Sequence, residues 1–345
     1  MAVVSGGAAR AFAAIGALAA AACGSSNGGA VPVRAIYTGV SQLTPDARGR
    51  VKLFADTFGD PVPTGITAGP DGALWFTDSG NAFIGRITKR GKYTLQVPAG
   101  MEVSDGIVAG PDKNLWFTTN ESNPQIGRIT TAGKVTFFSD SGGAYPHGIT
   151  VGPDGALWIA ESNGTVGRMT TQGAVTHFSV APGNAELEGI VSGPDGNLWV
   201  TQFVVGGSRF SNKVIRVATN GKYKAFTVGY GPKFICVGPD KALWFAEDSA
   251  NAIGRITTGG KFEDFPTGYK YAAPSGIATG PDGALWFTDY SGRAGIGRMT
   301  TKGRFTFYKV PGSFPELDEI TPGPDSKMWF TADLGPSGIG RVTTR

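Results

Sequence analysis

The chain has 345 residues, of which 54 are Gly and 22 are Pro, a content that breaks helices and argues against a mainly helical protein. With 41% hydrophobic and 11% aromatic residues it can nevertheless bury a large core. A net charge of +4, from 31 basic and 27 acidic residues, gives no case for a nucleic-acid partner, and two Cys and two His leave no room for a disulfide framework or a Cys- or His-rich metal cluster.

Residues 11–22 form an apolar run preceded by Arg10 and followed by Cys23 and a flexible Gly-Ser stretch. The run is too short to span a membrane and has the pattern of a secretory signal peptide, read as residues 1–23. Cys23 after small residues resembles a bacterial lipoprotein cleavage site, at which it would carry a lipid anchor. The alternative is ordinary cleavage after an Ala-x-Ala site. Both readings place the mature protein outside the cytoplasm, secreted, periplasmic or tethered. Residues 24–48 read as linker and lead-in, and no transmembrane segment is expected anywhere.

From residue 49 onward one repeat organises the chain. All seven Trp fall in it: Trp75, Trp116, Trp158, Trp199, Trp244, Trp286 and Trp329, spaced by 41, 42, 41, 45, 42 and 43 residues. Gly-Pro-Asp precedes each, with Asp71, Asp112, Asp154, Asp195, Asp240, Asp282 and Asp325 as turn formers. An Arg follows each: Arg86, Arg128, Arg168, Arg216, Arg255, Arg298 and Arg341, each expected to pair with a neighbouring repeat. In the first repeat TGITAG, ALWFTD, FIGRIT and KYTLQV read as four short strands joined by turns. A period near 42 with four strands predicts an all-β, seven-bladed β-propeller with four antiparallel strands per blade. The last repeat stops after its third strand. GRVKLFAD, residues 49–56, is free to supply the fourth and close the ring. One propeller domain, residues 49–345, and a monomer are expected.

Equivalent residues build the scaffold, so function is sought where the repeats differ. First strands should line the channel, and the residues that begin them form one ring at its mouth: Thr64, Asp105, His147, Glu188, Lys233, Ser275 and Asp318. The residues three after each Trp form a second: Asp78, Thr119, Glu161, Gln202, Glu247, Asp289 and Ala332. Such a mouth would bind a small-molecule or peptide ligand, hold a cation, or be a hydrated polar channel. His147 is the candidate general base. His177 is expected to be exposed and idle, and Cys236 a buried inert thiol.

The repeat GPDGALWFTD, followed by Asn-x-IGRIT and introduced by P-x-GIT, resembles the virginiamycin B lyase (streptogramin B lyase) family. That resemblance implies a seven-bladed propeller that opens cyclic peptide esters by elimination without adding water. It implies a bound Mg2+ held by two acidic residues and His bases at first-strand starts. The metal positions fall on Glu316 and Asp333. Asp318 stands where the family's base His would be, and Ser275 at the sixth-blade His position. As an exposed carboxylate Asp318 would have a pKa near 4 and be a weak base. A noncatalytic extracytoplasmic binding propeller is the alternative.

Overall fold

The computed structural model describes residues 43–44, 50–56, 61–99, 102–120, 124–140, 144–203, 212–291, 293, 295–312, 316–333 and 337–344. The segment read as a signal peptide, including Cys23, and most of the lead-in lie outside these residues. All the described residues belong to one compact unit within Arg34–Arg345.

The Pro-Asp-Gly turns and β-rich runs fold as the repeat requires. Seven antiparallel sheets follow one another, at residues 63–98, 103–139, 146–179, 186–227, 232–266, 274–308 and 316–342. The last is completed by Val51–Ala55, which pairs antiparallel with Gly338–Val342 from Val51↔Val342 to Ala55↔Gly338. Phe54 of this closing strand stacks on Trp329 at 5.6 Å, as Phe178 of the third blade stacks on Trp158 at 5.7 Å. Part of the lead-in is also structured: Leu43–Thr44 adds a short parallel strand outside Phe305–Tyr308.

The core consists of interblade clusters. Each Trp is fully buried and packs into the next blade: Trp75 against Leu115 and Phe117, Trp116 against Leu157 and Ile159, and so on to Trp329 against Leu74 and Phe76 of the first blade. The turn Asp explains the spacing to the Trp. Asp71 Oδ1 accepts from the Trp75 indole at 3.1 Å, and the same bond recurs in all seven blades. Its second oxygen receives Arg86 Nε at 2.7 Å, while the guanidinium lies over the Trp75 ring. The arginines therefore pair within their own blades, contrary to the interblade pairing expected. The register Trp75↔Arg86 puts the two side chains side by side on one face, next to the turn. Arg341 also reaches a neighbouring blade, donating to the Lys89 carbonyl at 2.8 Å. Burial works against ionisation of Asp71, and the Arg86 and Trp75 hydrogen bonds outweigh it, holding the carboxyl below its usual range.

Candidate functional site at the channel mouth

The first strands make the inner ring, each packed against those of both neighbours and the seventh against the first. Every one of them shifts register between its start and the Ile that recurs in each repeat, as between Pro146 and Ile149 or Leu317 and Ile320. This bulge frees the strand-opening residue from regular pairing and re-aims its side chain. The next position is Gly in five blades. A Cβ at Gly106 would run into the His147 carbonyl, and one at Gly276 into that of Asp318. Gly is thus required because the neighbouring backbone passes too close for a side chain.

An incomplete threonine ring locks four of these backbones. Thr118 Oγ1 donates to the His147 carbonyl at 3.0 Å, Thr201 to that of Lys233 at 2.6 Å, Thr288 to that of Asp318 at 2.6 Å, and Thr331 to that of Thr64 at 2.8 Å. Each sits two residues after its Trp and holds the strand-opening residue of the following blade. Their signal in the sequence is the repeated Trp-x-Thr, which looks like ordinary strand composition.

The first ring of candidates converges electrostatically. Burial pushes the Glu188 carboxyl up, against the pull of His147 and Lys233, with Asp105 and Glu186 adding repulsion. Lys233 Nζ lies 3.3 Å from Asp248 Oδ2 and over the Tyr290 ring at 5.7 Å. Burial lowers its pKa but Asp248, Glu188 and Asp318 more than offset this, so it stays cationic. Ser275 Oγ donates to Asp318 Oδ1 at 3.2 Å. Asp318 is not the exposed carboxylate with a pKa near 4 expected above. It is partly shielded from solvent, and burial together with the charge of Asp105 pushes it up to about 7, Lys233 opposing.

Glu316 and Asp333 face one another directly across the first two strands of the seventh blade. Asp333 Oδ1 also accepts from Ser337 Oγ at 3.1 Å. The Tyr290 hydroxyl lies beside Glu316, and its pKa is raised by burial and by the carboxylates Glu316, Asp318 and Asp333. Two facing carboxylates beside a phenol form an all-oxygen donor set, the kind Mg2+ takes, so these residues fit the ion that the resemblance implies.

The second ring does not reach the mouth. Glu161, Glu247, Asp289, Thr119 and Ala332 are completely buried, and Asp78 and Gln202 nearly so. Both faces of a blade are covered by neighbours, so the strand end three residues after Trp turns inward beneath its loop. Asp289 Oδ1 accepts from the Ala273 N–H at 2.7 Å, and Asp78 Oδ1 from that of Val62 at 2.9 Å. These carboxylates fasten the loop that leads into the first strand. His177 is likewise not idle: it lies 2.7 Å from the buried Asp140 carboxylate. Cys236 is partly buried in a first strand, and burial pushes its thiol up to about 12.

Other mouth features carried no sequence signal of their own. Tyr145, Tyr230 and Tyr271 are exposed on segments that lead into first strands, and Tyr290 is exposed just after the second strand of the sixth blade. Phe234 and Glu319 replace the channel Gly in the fifth and seventh blades. They line a cavity of about 80 Å³ with Ile107, Ile149, Ile190 and Ile277. Glu319 accepts from the Ile66 N–H, and burial holds its carboxyl well above the usual range.

A family model described as the virginiamycin B lyase family matches residues 38–210 and 188–345. Selenomethionine-substituted virginiamycin B lyase from Staphylococcus aureus is 30% identical, with a TM-score of 0.76 over 86% of this chain and 99% of that one. A catalytically inactive His-to-Ala variant of the same enzyme, with quinupristin, is 31% identical at a TM-score of 0.76 over 86% and 99%. The extracellular domain of a hybrid two-component system from B. thetaiotaomicron shares the fold at 14% identity, with a TM-score of 0.68 over 86% of this chain and 41% of that one. No curated protein matches the chain in sequence. No helix among the described residues is long and apolar enough to cross a membrane.

Proposed function

The chain belongs to the virginiamycin B lyase family, and from that premise we propose that it is an exported carbon–oxygen lyase that linearises a cyclic peptide ester at the channel mouth. The observation that carries this reading is Asp318. A carboxylate whose pKa lies near 7 is matched to proton abstraction at neutral pH, so it does what a His at its position would do. It takes the proton from the carbon next to the carbonyl of the ester-bearing residue. The carbon–oxygen bond of the ester then breaks, its electrons leave with the freed carboxylate, and a carbon–carbon double bond remains. No water is added.

Ser275, donating to Asp318 Oδ1, sets the carboxylate's orientation and leaves the other oxygen for the substrate. Lys233 keeps a positive charge at the same mouth, where the departing carboxylate forms. His147, whose side chain acts electrostatically on Glu188, is a second candidate base at the mouth. Thr64 and Asp105 complete the polar wall, and Tyr145, Tyr230, Tyr271 and Tyr290 offer apolar faces to a macrocycle. Glu316 and Asp333 would hold Mg2+, which when bound supplies Lewis-acid polarisation of the ester.

The test is incubation of the protein with a type B streptogramin, with and without Mg2+, read by chromatography and mass spectrometry. The expected product is ring-opened and of unchanged mass. A product heavier by one water would mean hydrolysis and overturn the elimination. Untouched substrate would overturn the lyase reading and favour a second one, a noncatalytic extracytoplasmic binding propeller. The observation on that side is that Ser275 and Asp318 occupy both positions at which the family resemblance calls for His.

A further inference from the structure

Away from the mouth, at the seam of the second and third blades, three side chains meet that the proposed reaction does not use. Asp140 follows the outer strand of the second blade. Glu161 ends the second strand of the third blade, and His177 lies on its outer strand. One ligand atom from each lies within 4.8 Å of the others. His177 Nε2 is 2.7 Å from Asp140 Oδ1 and 3.4 Å from Glu161 Oε1. We propose that Asp140, Glu161 and His177 form a binding site for one first-row divalent metal ion of the zinc class, clamping these two blades together.

Burial and missing partners carry the argument beyond an acidic cluster. Glu161 has no exposed surface, and among the described residues its carboxylate oxygens make no well-formed hydrogen bond, with only the Ala144 N–H and the His177 ring nearby; Asp140 Oδ2, on an equally buried carboxylate, has no partner among them. Buried carboxylate oxygens are normally satisfied, because leaving them bare is costly. Two carboxylates and a neutral imidazole carry two negative charges, which a divalent cation neutralises.

The site is also specific to this blade. In the first, second, fifth, sixth and seventh blades a Phe ring covers the Gly that precedes the repeat Arg, as Phe76 covers Gly85 and Phe330 covers Gly340. The third blade has Ile159 instead, and Glu161 Oε1 occupies the space above Gly167. The fifth blade is the internal control. Glu247 replaces Glu161 and Asp264, opposite Gly254, replaces His177, opposite Gly167. There the third position is Val228 rather than Asp140, so only a carboxyl pair remains.

Zinc bonds to imidazole nitrogen and carboxylate oxygen of about 2.1 Å at tetrahedral angles put ligand atoms roughly 3.4 Å apart. The His177–Glu161 separation already matches this. The His177–Asp140 contact must open by roughly 0.7 Å when a metal replaces the hydrogen bond. A nitrogen ligand distinguishes the site from the all-oxygen set at Glu316 and Asp333 and favours zinc-class ions over Mg2+. His177 is 19% exposed and borders a shallow surface depression with Phe178, Asn220 and Tyr223, which gives a metal its way in.

The test uses the untagged full chain, stripped with EDTA, given Zn2+, freed of excess by gel filtration and assayed for metal. One Zn2+ per chain is expected. Asp140→Asn and His177→Gln should each bind at least 10-fold more weakly, while Glu316→Gln retains the ion. No retained zinc, or equal retention in the Asp140 and His177 variants, would overturn the proposal. Should those variants fail to fold, a His147→Ala chain leaves His177 as its single histidine. Loaded with one equivalent of Cu2+, it should show electron paramagnetic coupling to one imidazole nitrogen. A spectrum without it overturns the site.

Discussion

Asp318 ties chemistry to stability through one proton. Its folded pKa of about 7 lies above its ordinary value near 3.8, so the folded chain holds a proton that the unfolded chain has lost. Its contribution to stability is full at pH below about 4 and falls as pH rises towards 7. Activity runs the other way, because only the ionised carboxylate accepts a proton, so kcat should rise with pH to a plateau above about 7. Asp318→Asn should lower kcat by about 10²–10⁴-fold and abolish that inflection. It should not destabilise the protein at pH 8, where the native carboxylate is charged and partly buried. A pH–rate profile with matched thermal melts checks both. Glu161 obeys the same sign: in metal-free protein Glu161→Gln should raise stability at pH 8 by roughly 1–3 kcal/mol. Urea unfolding of EDTA-treated protein at pH 5 and pH 8 measures it, with the difference expected to widen at the higher pH.

At the scale of the element, each first strand is a bulged ribbon, and in four blades a threonine of the blade before holds its backbone. Thr288 shows the dependence. Its hydroxyl donates to the Asp318 carbonyl at 2.6 Å and accepts from the Gly276 N–H at 2.9 Å. Thr288→Val keeps shape but leaves both groups bare in the interior. It should cost about 1–3 kcal/mol in urea unfolding. It should also raise KM or lower kcat although Thr288 touches no ligand, because the strand carrying Asp318 loses its anchor. Unchanged kinetics at full stability loss would separate the threonine ring from the site.

The molecule as a whole depends on closure. Val51–Ala55 covers the outer edge of Gly338–Val342, and Phe54 and the Trp329 it stacks on both pack in the cluster that joins the seventh blade to the first. Removing residues 1–56 would expose that edge and part of the seam. Such a chain should self-associate in light scattering and melt well below the full-length protein. Phe54→Ala, which keeps the strand, should cost less than the about 3–5 kcal/mol of a fully buried Phe and should not self-associate beyond the parent protein. The proposed clamp between the second and third blades acts on a different seam, so added zinc should raise the melting temperature of Phe54→Ala as much as that of the parent.

The blade count, the strand count and the closing segment were legible because they repeat: seven Trp at one period leave few folds, and the missing last strand points to the first. The ring of strand-opening residues was legible for the same reason, since the propeller has one inner ring and repeat alignment finds it. The placing of Glu161, Glu247 and Asp289 was not. Strand alternation says which face a side chain takes, but in a blade covered on both faces it does not say what lies above the strand end. Nor could spacing join Asp140 to His177 across a blade boundary, or tell that Ile159 vacates the space Glu161 fills. The raised pKa of Asp318 likewise arises from Asp105 and the burial around the ring, groups far apart in the chain. The sequence by itself determined the scaffold, because local turn and strand chemistry repeats seven times. The tertiary structure alone decided which carboxylates face water, which face each other and which lack a partner, because charge and burial are set by neighbours the chain brings together only when the ring closes.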